Sequence, residues 1–145
     1  MSTIVRVPLD KNTKIALLRR VPLFADCSRS ELVEVAICAD ERDVPDGHEL
    51  TREGERGREF FVLVEGTATV QRGGAKVADL GPGDWFGEIA LLTYKRRSAT
   101  VTATSPIRML AITDRDFRRV VETTPRVALR VLASVARRLE RDARS

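Results

Sequence analysis

Histidine occurs once in the chain, at His48, and cysteine twice, at Cys27 and Cys38. The cysteines form no CxxC pair, so neither a zinc site nor a histidine-clustered metal centre fits this inventory. His48 stands beside Gly47 at a turn signal and reads as an ordinary turn or strand-start residue. Nucleophile-plus-histidine catalysis would have to use that one imidazole, and nothing near it resembles a nucleophile elbow. No apolar run approaches the roughly 20 residues of a membrane span. The opening segment, MSTIVRVPLDKNTK, has no hydrophobic signal core, so the expectation is a cytoplasmic protein with no membrane partner. Internal repeats and low-complexity linkers are also missing.

What is present suits a folded core. The 145 residues are 43% hydrophobic and 32% charged, a globular composition that predicts one domain over residues 1–145. Charge is unevenly placed. Residues 1–113 hold 16 basic and 16 acidic side chains, and residues 114–145 hold 9 and 5, which is the whole net charge of +4. A basic C-terminal helix can touch nucleic acid or an acidic partner. It can equally be a solvated face with arginines near the helix end, where the dipole favours them. The second reading is preferred, because no aromatic or glycine-rich RNA motif accompanies the arginines.

Along the chain, Ile15-Ala16-Leu17-Leu18 predicts a short helix that ends before Pro22. Ser28 followed by Glu31 is a capping-box signature for a second helix, with Leu32, Val35, Ala36 and Ala39 on one face. From about residue 42 to 112, short β-rich runs are cut by turn signals every eight to twelve residues or so, the texture of a sandwich or barrel. The runs are His48–Arg52, Phe60–Val64, Thr67–Gln71, Lys76–Leu80, Thr100–Thr104 and Ile107–Ile112, with Trp85-Phe86 as a shorter strand-like piece. Phe60–Val64 is apolar throughout, which predicts a central strand buried on both faces. Thr113 or Asp114 then caps a helix through Phe117, Val120 and Val121, and Pro125 suits the first turn of a last helix. That helix is expected to bury a stripe of Ala128, Val131, Leu132, Val135 and Leu139. The predicted fold is mainly β with flanking helices. N-terminal helices span about 13–40, a barrel of about eight strands spans 42–112, and two C-terminal helices span about 114–143.

The chain is organised around residues 84–101, DWFGEIALLTYKRRSATV. Gly87 allows close approach of backbone because it has no Cβ. The apolar turn Ile89-Ala90-Leu91-Leu92 opens with N–H groups that lack intrahelical partners and favour an anion. Arg97 can present a planar two-pronged donor to phosphate oxygens. Glu88 cannot bind phosphate but can accept a hydrogen bond from a sugar hydroxyl. Taken alone, the stretch is also compatible with a surface turn followed by a solvated basic run.

In its order of parts the chain resembles the cyclic nucleotide-binding domain family over about residues 20–143. The landmarks are Val21-Pro22-Leu23-Phe24, Gly47 and Gly54 at turns, Phe61 leading to Gly66, and Gly83-Asp84 ahead of a phosphate-binding cassette at 86–101. That cassette is FGEIALL, four residues, then RSATV, with Arg97 nine positions after Glu88. The resemblance implies a jelly-roll barrel (a double-stranded β-helix). It also implies that Glu88 binds the ribose 2′-hydroxyl and Arg97 the cyclic phosphate. Backbone at Gly87, Ile89, Ala90 and Ala99 would line the sugar-phosphate, Ser98 would donate its hydroxyl, and Val70 and Val77 would line the base. Arg96 stands where many members have proline, which either raises phosphate affinity or loosens the cassette. Ser98 stands where threonine accompanies cGMP and alanine cAMP; serine occurs in bacterial cAMP receptors, so cAMP is the expected ligand and cGMP is not excluded.

The expectation is therefore a regulatory binding module, not an enzyme, with no cofactor beyond its nucleotide ligand. Occupancy would be transmitted through the C-terminal helices to an effector protein in trans. The alternative is a barrel-fold interaction or dimerisation module that binds no cyclic nucleotide. The apolar stripe of the last helix could serve a homodimer. Direct DNA binding is not expected, since no helix-turn-helix follows Ser145.

Overall fold

A computed structural model describes residues 8–87 and 96–144, apart from the side chains of 138, 139 and 141–144. Its centre is strand β3, Glu59–Glu65, whose sequence EFFVLVE shows no polar alternation because both faces are covered. Phe60 and Val62 join the helix-facing core, whereas Phe61 and Leu63 point into the barrel. Strand β8, Ile107–Thr113, divides in the same way: Leu110 and Ile112 face the helices, and Ile107, Met109 and Ala111 the barrel.

The remaining strands are β1 (Asp40–Val44), β2 (Glu49–Thr51), β4 (Ala68–Arg72), β5 (Ala75–Leu80), β6 (Trp85–Phe86) and β7 (Thr100–Ala103). They form two four-stranded antiparallel sheets, ordered β1-β8-β3-β6 and β2-β7-β4-β5. Inside, Ala68 and Val70 of β4 stand opposite Ala103 and Val101 of β7 and pack against the inner residues of the first sheet. The eight-stranded barrel with flanking helices is as expected.

Strand β1 falls where the barrel was expected to begin, at about residue 42, but the first run named in the sequence is His48–Arg52. Its segment, DERDV, carries four charges in five residues and no apolar alternation. It is a strand because the edge of β8 offers it a ladder from Asp40↔Ala111 to Val44↔Ile107. Its charges are met by neighbours: Glu41 accepts from Arg108 Nη2 at 2.5 Å, and Arg42 forms a two-pronged pair with the carboxylate of Glu59.

From the second onward, the helices begin where Ser28, Thr113 and Pro125 predict. Helix α1 (Lys11–Arg20) is capped by Asp10, whose side chain accepts from Thr13 N at 2.7 Å. A 3-10 turn at Pro22–Phe24 follows. Helix α2 (Arg29–Cys38) has the full capping box, Ser28 and Glu31 each holding the other's backbone N–H. It buries Leu32, Val35 and Ala36 with Ala39. Thr113 caps helix α3 (Asp114–Thr123), and Pro125 opens helix α4 (Pro125–Arg144). Phe117 of α3 stacks on Phe60 of β3, with ring centroids 4.6 Å apart.

The buried face of α4 overlaps the predicted stripe at Val131 and Val135 but excludes Leu132. Val127 and Val131 enter the core with Val135 against its rim, while Leu132 is 64% exposed and Leu129 66%. Ala128 is half-buried, and the side chain of Leu139 lies outside the described residues. The rotation follows from where α4 docks. Val127 and Val131 pack into the core shared with the N-terminal helices, and at the rim Arg126 binds Glu31 at 3.1 Å and Arg130 binds Asp26. Those ion pairs also use part of the basic excess at this end of the chain.

Candidate functional site

Strand β6 pairs with β3 through Phe61↔Phe86 and delivers Gly87 at the barrel mouth with φ +100°, a conformation open to glycine. On the opposite side, the backbone of Arg97 is fastened to the loop ahead of β3. Its N–H donates to Glu55 O at 2.7 Å and its carbonyl accepts from Gly54 N at 2.9 Å. Arg96 completes the clasp by bridging to Arg56 and donating from Nη1 to Gly54 O at 3.0 Å. Proline cannot make that side-chain bond, so Arg96 ties the cassette's exit down.

The Arg97 side chain is only 7% exposed. Its Nη1 donates to the carbonyl of Gly87 at 2.9 Å, and its Nη2 to the carbonyl of Glu59 at 2.5 Å. The ring of Phe61 lies 5.9 Å from the guanidinium carbon, within cation–π range. A buried guanidinium stays protonated and needs such oriented dipoles around it. The cradle also depends on an absence: a Cβ on Gly57 would fall 2.3 Å from Arg97 Nε, and one on Gly87 2.6 Å from Nη1. The sequence reading missed Gly57, Glu59 and Phe61 as site residues. The spacing of Gly54 and Gly57 just ahead of the Phe60-Phe61 strand was the available signal.

Ser98 and Ala99 carry the chain from Arg97 into β7. Ser98 is exposed and its carbonyl accepts from Arg72 Nε at 3.3 Å; Ala99 is half-buried and its carbonyl accepts from Thr51 Oγ1 at 3.2 Å. Val70 is half-buried on the barrel's inner face, opposite Val101. Val77 differs: it is 52% exposed and is the extra residue of a bulge, since Val70 pairs with Ala78 and Gln71 with Lys76. A bulge re-aims its side chain, and here it sets two residues, Val77 and Ala78, against Val70. The structure thus joins Gly87 to Arg97, followed in the chain by Ser98 and Ala99, while Val70 lies on the neighbouring strand β4 and Val77 on β5, exposed. Glu88, Ile89 and Ala90 lie outside the described residues.

Other features fall away from this end. A cavity of about 150 Å³ lies between α1 and the strands, lined by Leu17, Arg20, Val21, Val62 and their neighbours, and contains none of the predicted site residues. Cys27 and Cys38 are free thiols whose pKa values burial pushes up. Among the described residues, no group of three or more His, Cys, Asp or Glu side chains could hold a metal ion. No helix among them is long and apolar enough to cross a membrane.

Residues 41–124, more than half of the chain, match the family model of the cyclic nucleotide-binding domain. The chain belongs to that family. The domain is 37% identical over 112 residues to a cyclic nucleotide-gated potassium channel of Mesorhizobium japonicum, covering 77% of this chain and 31% of the channel. Among solved structures it is similar to the catabolite activator protein of Thermus thermophilus, with a TM-score of 0.78 and 30% identity over 84% of this chain and 60% of that one. It is also similar to cAMP-bound PfPKA-R, with a TM-score of 0.76 and 29% identity over 80% of this chain and 40% of that one. The domain spans less than a third of the length of the curated relatives it matches. It is a regulatory, cyclic nucleotide-binding type of domain on a β-roll fold.

Proposed function

We propose that the domain binds a cyclic nucleotide, cAMP in preference to cGMP, and converts occupancy into movement of α3 and α4. The observation that carries this is the Arg97 guanidinium, almost wholly buried and aligned by the carbonyls of Gly87 and Glu59 at the barrel mouth. A cyclic phosphate carries one negative charge, and its burial requires a fixed, hydrogen-bonding cation of this kind. In this reading Arg97 pairs with the phosphate, Glu88 accepts from the ribose 2′-hydroxyl, and Ser98 donates to the phosphate. Backbone at Gly87, Ile89, Ala90 and Ala99 surrounds the sugar-phosphate, and Val70 and Val77 bracket the base. The cAMP-bound state of one structural neighbour supports the choice of nucleotide. In this reading every named residue binds or orients the ligand, and the domain acts as a binding module.

A physical route to the helices starts at Glu59. Its carbonyl holds Arg97, and its register partner in β8 is Thr113, the N-cap of α3. Next to it, Asp114 N donates to Arg58 O at 2.7 Å. A ligand that draws the guanidinium off Glu59 changes the strand end on which α3 is seated. It shifts the helices only as far as it prefers one of their arrangements. The signal would pass to an effector in trans.

Calorimetry with cAMP and cGMP tests the proposal: saturable heat with cAMP supports it, and no heat or thermal shift at millimolar ligand overturns it. Arg97→Glu is expected to abolish binding. A second reading, an interaction or dimerisation module, is favoured by Leu129 and Leu132, which lie 66% and 64% exposed on α4. Size-exclusion chromatography of nucleotide-free protein, with and without added cAMP, separates the two.

A further inference from the structure

Arg56 and Arg96 face each other across an isolated antiparallel bridge just ahead of β3. Residues opposed in this way share a face, with their Cβ atoms about 4.5–5.5 Å apart, and like charges there are destabilising. The chain nevertheless sets two arginines opposite each other and adds a third, Arg58, two residues on. Gly57 fixes the direction of their face. A Cβ on it would fall 2.3 Å from Arg97 Nε, so position 57 looks towards the buried guanidinium. Its neighbours Arg56 and Arg58 take the other side by strand alternation. The segment is extended as that alternation requires, because Arg58 O accepts from Asp114 N at 2.7 Å and prolongs the β3–β8 ladder. All three arginines are exposed, whereas Arg97, next after Arg96, is buried.

The acids nearest in the chain are engaged elsewhere. Glu55 meets Arg52 at 3.5 Å, Glu59 is held by Arg42, and Glu53 accepts from Gly73 N at 2.9 Å. Among the described residues, Arg56, Arg58 and Arg96 make no ion pair. The bond from Arg96 Nη1 to Gly54 O leaves its charge uncompensated. Three positive charges thus share one exposed face that the fold itself does not neutralise.

We propose that Arg56, Arg58 and Arg96 form a docking surface for an acidic, extended segment of a partner protein. Residues two apart on an extended chain are spaced by roughly 6.5 Å. Carboxylates on alternate residues of an extended peptide have that same spacing, and each accepts a two-pronged pair from a guanidinium. Arg96 adds a third point across the bridge. A nucleic acid or a membrane surface calls for a broad positive field, whereas residues 1–113 hold 16 basic and 16 acidic side chains, so this patch is local on a balanced barrel. The surface lies on the reverse of the segment that cradles Arg97, and it does not depend on what Arg97 binds.

Fluorescence anisotropy of the full chain with a short labelled peptide of alternating glutamate and threonine, at low salt, is the test. Saturable binding is expected, weakened by about 10-fold or more in the double variant Arg56→Glu/Arg58→Glu, which loses two charge-assisted pairs. Arg19→Glu/Arg20→Glu changes the net charge equally at exposed positions of α1 and should stay within about twofold of wild type. No binding by wild type, or equal loss in both double variants, overturns the proposal. Tighter binding of phosphatidylserine-containing vesicles or of a short DNA duplex than of the peptide overturns it in favour of those surfaces. A second readout needs no partner. Relief of the Arg56–Arg96 repulsion should raise the urea midpoint of Arg56→Gln at low salt, with the gain fading at about 1 M salt. A lowered midpoint makes Arg56 a structural residue and overturns the proposal as well.

Discussion

Gly57 and Arg97 fit together so closely that a Cβ on the glycine would lie 2.3 Å from Arg97 Nε and 2.4 Å from Cζ. The contact joins the loop ahead of β3 to the guanidinium at the centre of the site. It explains a glycine that no positive φ requires.

Gly57→Ala should leave the fold intact and damage the site. The atoms the new methyl meets belong to the far end of a flexible side chain, which can swing away where backbone could not. Swinging away removes Arg97 from the carbonyls of Gly87 and Glu59. The expected result is at least a 10-fold loss of cyclic-nucleotide affinity by calorimetry, with stability within about 1 kcal/mol of wild type. Unchanged affinity would show that Arg97 is not held by this contact. Gly87→Ala is expected to do more harm, because its φ of +100° suits no side chain and its Cβ meets Glu59 O at 2.9 Å.

Arg96→Ala tests the clasp at the cassette exit. Its bond to Gly54 O is exposed, so the expected loss of stability is about 0.5 kcal/mol or less. The backbone bonds of Arg97 to Glu55 and Gly54 remain. Nucleotide affinity should fall by only a few-fold, roughly the scale of one weak hydrogen bond. A loss as large as that of Arg97→Glu would mean that Arg96 itself contacts the ligand.

The β1 charges predict an acid-side loss of stability. Burial opposes ionisation of Glu41, but the bonds from Leu9 N and Arg108, with the charge on Arg108, hold its pKa below the ordinary 4.5. A carboxylate with a depressed folded pKa stabilises fully above its unfolded value, and that contribution is lost as pH falls through the folded one. Urea denaturation of wild type and Glu41→Gln should therefore show its widest gap near neutrality, narrowing below about pH 4.5. A gap that grows towards low pH would contradict the assignment.

The two faces of α4 and its neighbour α3 give a stability contrast. Phe117 is fully buried against Phe60, so Phe117→Ala should cost about 3–5 kcal/mol. Leu132 is 64% exposed, so Leu132→Glu should stay within about 0.5 kcal/mol of wild type. Denaturant midpoints at equal slopes check both, and a large cost at Leu132 would put that residue on the buried face.

Most of what was legible in the sequence is local. Capping residues bond within three positions, as Asp10, Ser28 and Thr113 do, so they can be read without knowing the fold. Apolar runs such as Phe60–Val64 announce a strand covered on both sides. The cassette spacing pointed to Arg97, and the structure places that side chain in a buried cradle.

The surroundings of that cradle were not legible, because they depend on partners far along the chain. DERDV is a strand only because β8, more than sixty residues later, offers an edge and Arg108 a counter-charge. The face that α4 buries is set by where Val127 and Val131 meet the core formed with the N-terminal helices, roughly a hundred residues away, and helical periodicity alone cannot choose between two adjacent apolar stripes. Sequence by itself determined the barrel's strands except β1, most of its caps and the arginine at its mouth, since each follows from bonding or burial within a few residues. Tertiary structure alone decided that Gly57 must lack a side chain, that Glu59 lends its carbonyl, and that Arg72 reaches Ser98. Those facts follow from how chain-distant segments meet in space, and no local pattern carries that information.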